Sequence, residues 1–196
     1  MRASVRRDSI LVRMIQTKPL AWGARVTPEF RERVFRLCDA LGWSEDQASD
    51  LMAVMAFETG RTFAAKTRNP ASSATGLIQF MAATAKGMGT TTAKLAAMTD
   101  VAQLDDVERN FRPPAKRITT LDDLYMAVLW PAAVGKPLDT VLWSAGTPAF
   151  AVNRGLDANR NGKITKREAA GKVREQREAG LRPENCALPE KKSREG

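Results

Sequence analysis

The 196-residue chain reads as mainly α-helical. Three observations carry that expectation: apolar residues recur at three- and four-residue spacing, cap residues and glycine or proline stops bracket those stretches, and alternating strand patterns are nearly absent. The length suits one domain with a real core plus tails. The expected organisation is a basic extension over 1–26, a helical domain over 27–180 and a polar tail over 181–196.

The extension "MRASVRRDSILVRMIQTKPL" is basic like the start of a secretion signal, but Arg13 interrupts its short apolar stretch and no small-residue cleavage site follows. It is read as an unsignalled, disordered leader, with Met14 as an alternative start. The first helix opens at Thr27-Pro28-Glu29, which supplies an N-cap, a first-turn proline and an early acid. Phe30, Val34, Leu37, Cys38 and Leu41 share one of its faces, and Gly42 ends it. In the second helix Ser44 and Gln47 form a capping box, Ala48, Leu51, Met52 and Met55 make an apolar stripe, and Gly60 closes it.

After a loop rich in Asn, Pro, Ser and Gly, "GLIQFMAATAKGMG" reads as a helix, followed by short ones around Thr91–Met98 and Asp100–Phe111. "RPPAKR" breaks the chain. "TTLDDLYMAVLW" is then a helix with Leu121, Leu124, Tyr125, Val128 and Leu129 inward and Pro131 as its stop. The tail "RPENCALPEKKSREG" is polar and proline-bearing, and is expected to be disordered.

Composition narrows the chemistry. Hydrophobic residues at 43% with 27% charged form a globular balance, and no apolar run approaches the roughly 18 residues that cross a bilayer. The net charge of +9 draws the chain toward polyanions: nucleic acid, anionic lipid or an anionic wall polymer. No aromatic-interleaved RNA motif or zinc-finger spacing accompanies the basic residues, so no nucleic-acid partner is expected. Cys38 and Cys186 form no disulfide framework and are read as free thiols. The chain has no histidine, which excludes Ser-His and Cys-His nucleophile pairs and histidine-ligated zinc. Acid-base chemistry therefore falls to carboxylates, or to a lysine or the lone Tyr125.

Glu58 stands out among the carboxylates. It follows Met55 by three residues and Leu51 by seven, which turns it toward the apolar face near the C-terminal end of its helix. Desolvation and the negative end of the helix dipole both disfavour its ionisation there. A raised pKa is what a general acid for glycosidic cleavage needs, because it must still hold its proton near neutral pH. The alternative is that Glu58 rotates to solvent at a fraying end.

The segment "MAFETG", the polar loop after it and "ATGLIQFMAATA" resemble the signature of the soluble lytic transglycosylase family and its goose-type lysozyme relatives. In that family a catalytic glutamate ends a helix and a Gly-Leu-Met-Gln-like segment follows beyond a loop. The matching residues here are Glu58 and Thr59, then Gly76, Leu77, Ile78 and Gln79. A third family motif, of the type Ala-Tyr-Asn-x-Gly, is matched by "AVNRG": Asn153 and Gly155 are kept, and Val152 stands in place of the tyrosine. The resemblance covers residues 45–156, and segments such as "WGARVTPEFRERV" and "DLYMAVLWPAAVGKP" look like phage-encoded members.

The resemblance implies a lysozyme-like fold in which Glu58 protonates the oxygen between N-acetylmuramic acid and N-acetylglucosamine. It also implies that Gln79 and Asn153 contact the sugar or its N-acetyl group, with Ser73 close by; the alternative for Gln79 is a tie between a helix start and its loop. Tyr125 is a candidate cleft group or a core side chain. A lytic transglycosylase needs one acid, because the muramic acid's own hydroxyl attacks, whereas an inverting muramidase needs a second. Asp100, Asp105, Asp106 and Glu108 are the candidates for that second acid. The expected partners are peptidoglycan strands and the anionic outer-membrane surface. A monomer is expected, acting in the bacterial periplasm or wall after delivery by a holin or a virion. A non-catalytic phage structural or wall-binding protein is the rival from another class.

The stretch "AVNRGLDANRNGKITKREAA" carries a second signal. Asp157, Asn159, Asn161, Gly162, Thr165 and Glu168 fill the first, third, fifth, sixth, ninth and twelfth places of an EF-hand calcium loop, Ile164 the apolar eighth, and Lys163 offers its backbone carbonyl. An Asn/Gly-rich turn before a capped helix is the plainer alternative. Only Asp157 and Glu168 bring negative charge, while Arg160, Lys163, Lys166 and Arg167 crowd the loop with cations. That balance predicts a weak structural calcium site, on the order of 10⁻⁴ to 10⁻³ M. No second loop of this type is present, which argues against a regulatory calcium sensor. Because Asn153 lies four residues before Asp157, calcium is expected to fasten the loop that carries it.

Overall fold

The computed structural model describes residues 16–189. They form a mainly helical fold around a central helix, with one two-stranded antiparallel sheet. The helices are α1 (Pro28–Leu41), α2 (Glu45–Glu58), α3 (Ala82–Gly87), α4 (Thr92–Ala96), α5 (Asp100–Phe111), α6 (Leu121–Leu129), α7 (Pro148–Asn153), α8 (Lys166–Ala169) and α9 (Gly171–Gly180); the strands are β1 (Val141–Ser144) and β2 (Lys163–Thr165). None of the described helices is long and apolar enough to cross a membrane.

The caps act as their sequences require. Thr27 accepts a hydrogen bond from the Phe30 amide, Pro28 occupies the first turn, and Gly42 ends α1 in the left-handed region at φ 70°. Ser44 and Gln47 form the reciprocal capping box of α2. α2 is buried all round from Ala48 to Ala56 rather than on one stripe, because α1, α6 and α9 pack about it. Its two buried polar residues are paired accordingly. Ser49 Oγ accepts from the Ala21 amide at 3.1 Å, and Asp50 accepts from Arg177 Nε on α9 at 2.6 Å.

The segment "GLIQFMAATAKGMG" departs from the expected helix. Thr75 and Phe80 exchange backbone hydrogen bonds at 3.1 and 2.8 Å, closing a tight turn over 76–79, and helical structure begins only at Ala82. Gly76 at φ 86° and Gln79 at φ 51° both adopt left-handed backbone that a helix cannot contain. Gln103 of α5 props the turn. It is fully buried, its Oε1 accepts from the Leu77 amide at 2.6 Å, and its Nε2 donates to Leu95 O at 2.8 Å.

The stretches expected to be disordered, 1–26 and 181–196, are ordered where they are described. Leu20, Ala21 and Trp22 are buried in the core. Leu20 and Ala187 exchange backbone hydrogen bonds at 2.9 and 3.0 Å, and Trp22 Nε1 donates to Gln176 O at 2.9 Å. A short apolar run beside basic and proline residues gave no periodic signal, yet it bonds to both α2 and α9, through Ser49 and through Gln176 and Gly180. Residues 1–15 and 190–196 lie outside the described part. Cys38 and Cys186 are free and buried.

Candidate active site and cation loop

Glu58 is the last residue of α2. Thr59 caps the end behind it, with its hydroxyl donating to Met55 O at 2.6 Å and accepting from the Phe63 amide at 3.0 Å. Burial alone drives the Glu58 carboxyl up from 4.5 to about 7. No hydrogen bond or ion pair joins this carboxyl to another described residue. Among the described residues the one fully enclosed side-chain polar atom without a partner is Trp143 Nε1. The oxygens of Glu58 are therefore not fully enclosed, and the residue as a whole is half-buried.

Tyr125 stands beside Glu58. It is 3% exposed, its ring meets Phe57 edge-on with centroids 5.7 Å apart, and burial followed by the Glu58 charge raises its pKa. The ring of Tyr125 packs inside the core, and the side chain lies within electrostatic reach of the acid.

Gln79 sits in its turn with Nε2 donating to Gly76 O at 3.0 Å and Thr67 O at 3.2 Å. That is the tie read as its plainer role, and it leaves the side-chain carbonyl free to accept. Gln79 also lines a cavity of about 480 Å³ with Phe80, Met81, Arg117, Val128 and Pro131. Glu58 and Tyr125 are not among the lining residues. The two places are joined along α6, where Tyr125 and Val128 are three residues apart on one face.

The remaining expected contacts are placed differently. Ser73 is exposed, and its hydroxyl accepts from the Ala82 amide at 3.1 Å, which caps α3. Asn153 ends α7 and donates to Ala149 O of its own helix at 2.9 Å, while Val152 is 83% exposed. Among the described residues no hydrogen bond links Ser73 or Asn153 to Glu58 or Gln79.

The candidate second acids are committed elsewhere. Asp100 accepts from the Ala65 amide at 2.7 Å, Asp105 and Glu108 pair with Arg33 at 2.6 and 2.7 Å, and Asp106 pairs with Arg109 at 2.9 Å. All four serve structural ties on α5.

The loop over 157–168 folds around its acidic ends. Asp157 accepts from the Asn161 and Gly162 amides at 3.2 and 3.0 Å, Asn159 Oδ1 from the Asn161 amide at 3.0 Å, and Asn161 Oδ1 from the Lys163 amide at 2.9 Å. Glu168 spans the loop: Oε2 accepts from the Thr165 amide and hydroxyl at 3.0 and 2.7 Å, and Oε1 from the Asn159 amide at 3.5 Å. Although burial opposes it, these bonds hold the Glu168 carboxyl below its ordinary pKa. Gly162 at φ 78° and Arg160 at φ 58° make the sharp turn. Ile164 is fully buried and faces Trp143 across the sheet. The donor set of oxygens from Asp157, Asn159, Asn161, Thr165 and Glu168, together with the Lys163 carbonyl, fits a hard cation such as calcium. Among the described residues no group of three or more acidic, histidine or cysteine side chains gathers as a metal cluster.

One feature of this region carried little sequence signal. Lys166, in the tenth place of the loop, reads as a solvated charge, yet its side chain is 3% exposed and pairs with Asp123 of α6 at 2.6 Å. Only the position of Asp123, three residues after the N-cap Thr120, hinted at a tied carboxylate. Comparison with protein-family models gives no match, and comparison with curated proteins gives none either.

Proposed function

We propose that this chain is a peptidoglycan-degrading enzyme that cleaves the bond between N-acetylmuramic acid and N-acetylglucosamine by lytic transglycosylation, with Glu58 as its single catalytic acid. The observation that carries the reading is the Glu58 carboxyl: half-buried at the end of the core helix, without a protein partner, and pushed by desolvation to about 7. Such a group holds a proton at neutral pH and can release it to a leaving oxygen. In the first half of the reaction Glu58 protonates the glycosidic oxygen as the bond to the muramic acid breaks. The carboxylate then takes the proton of that sugar's own hydroxyl as the hydroxyl closes the 1,6-anhydro ring. Glu58 gives its proton to the leaving oxygen, regains one from the attacking hydroxyl and so ends protonated as it began, and no water is consumed.

The engagement of Asp100, Asp105, Asp106 and Glu108 supports the one-acid route over inverting hydrolysis, which needs a second free carboxylate. Tyr125 helps to keep the acid's surroundings dry. The free carbonyl of Gln79 is suited to accept from a sugar hydroxyl or an N-acetyl N–H in the cavity that it lines. The +9 charge suits a wall polymer with peptide carboxylates, and a phage-encoded enzyme reaching the wall by holin or virion is the setting that fits the resemblance.

The loop over 157–168 is the second part of the proposal: a weak calcium site held by Asp157, Asn159, Asn161, Lys163, Thr165 and Glu168. When bound, calcium supplies positive charge that neutralises the two carboxylates and fixes the loop; it takes no part in bond cleavage.

The direct test is Glu58→Gln. Release of soluble fragments from purified peptidoglycan should fall by a factor of about 10² to 10⁴, with an unchanged circular dichroism spectrum. Activity retained within a few-fold would remove Glu58 from the mechanism.

A further inference from the structure

The cation loop was expected to act on the cleft through Asn153, but its firm attachments lead elsewhere. Asn153 turns its amide back onto Ala149. The loop instead grips α6 at both ends. At the first turn, Lys166 Nζ donates to Asp123 Oδ1 at 2.6 Å, with the two side chains only 3% and 6% exposed. The same ammonium donates to Lys136 O at 2.8 Å, and Asp123 also accepts from the Gly135 amide at 2.7 Å and Thr120 Oγ1 at 3.1 Å. At the last turn, Ile164 pairs in register with Trp143, and Trp143 meets Trp130, the residue that ends α6, edge-on with centroids 5.5 Å apart. Backbone bonds from Lys166 N to Thr140 O and from Arg167 N to Leu138 O, at 2.9 and 2.8 Å, tie the loop's exit to the turn that precedes β1.

A buried ion pair adds little net stability over an apolar replacement, but displacing either partner strands a charge away from water. The Lys166–Asp123 pair therefore permits one placement of the loop's exit helix on α6 and penalises sliding. Tyr125, beside Glu58, lies two residues after Asp123 and five before Trp130, between the two grips.

We propose that a cation in the 157–168 loop positions α6, and with it Tyr125 at the Glu58 carboxyl, through the Lys166–Asp123 pair and the Ile164–Trp143–Trp130 contact. Lys166 and Asp123 are positioning residues, and α6 is the element on which loop occupancy is felt. This inference rests on the reading of the loop as a cation site and of Glu58 as the acid.

Amide hydrogen exchange on the full chain, with and without calcium chloride, tests it alongside calcium binding measured by calorimetry. Calcium should bind and slow exchange over 121–130 by about tenfold, as well as within 157–168. Lys166→Met and Asp123→Asn are then combined, so that neither charge is left alone. The double variant should still bind calcium and protect 157–168, while the slowing over 121–130 drops to about twofold or less. Binding with protection confined to 157–168 in the wild type overturns this inference and leaves the cation site standing. Full protection of α6 retained in the double variant overturns the role of the ion pair. Failure of calcium to bind overturns the cation reading and this inference together, without touching the assignment of Glu58. The wild-type comparison decides even if the double variant does not fold.

Discussion

Replacing Glu58 by glutamine removes a charge that the fold holds at a cost, so the variant should be less active and, at alkaline pH, more stable. Burial moves the carboxyl from 4.5 in the unfolded chain to about 7 in the folded one. At about 1.4 kcal/mol per pH unit that displacement amounts to about 3 kcal/mol. Below pH 4.5 the group is protonated in both states and no penalty exists. As pH rises the unfolded chain ionises first, so the wild type loses stability between 4.5 and 7 and bears the full cost above that. The glutamine variant has no such dependence. Because the carboxyl oxygens reach solvent, the figure is an upper limit.

Thermal melts across pH provide the assay. The difference between the two proteins near pH 4 sets the baseline for a buried amide, and near pH 9 the variant should gain up to about 6–12 °C over that baseline. The wild-type rate should follow the same titration, falling about tenfold per pH unit above 7 as the protonated acid disappears. A melting difference that does not change with pH would refute the argument, since it would mean that the carboxyl is not desolvated.

Two further predictions follow from the supports of the site. Gly76→Ala places a methyl group into the Gln103 amide at a φ of +86°, and should cost about 2–4 kcal/mol in urea unfolding; an unchanged midpoint would show that the 76–79 turn is not held as described. Calcium near 10 mM should raise the melting temperature by about 3–6 °C if the site binds near 1 mM, and Glu168→Ala should remove the rise; no effect of either would leave the segment as a plain turn.

The helices and their ends were legible because caps, glycine stops and three-to-four spacing are local signals. Thr27, Ser44 and Gly42 fix α1 and the start of α2 without help from the rest of the chain. The turn over 76–79 was not legible as a turn. Its apolar residues fit helical spacing, and what overrides them is a buried glutamine from α5 that sequence proximity does not reveal. The burial of Leu20 to Trp22 escaped for the same reason, since the backbone that pairs with Leu20 is that of the distant Ala187. At the site, the placement of Glu58 at the end of an inward helix face was readable from Leu51 and Met55. The nearness of Tyr125 was left open between core and cleft, and the burial of Lys166 depends on Asp123, 43 residues away, so composition made it look solvated.

Mass spectrometry of the fragments released from purified peptidoglycan tests the central claim most directly, because it reads the fate of the bond that Glu58 is proposed to cleave. One-acid transglycosylation predicts fragments ending in 1,6-anhydro muramic acid, formed by the wild type and absent with Glu58→Gln. Reducing muramic acid ends would contradict the account, because they require a water and a carboxylate to activate it.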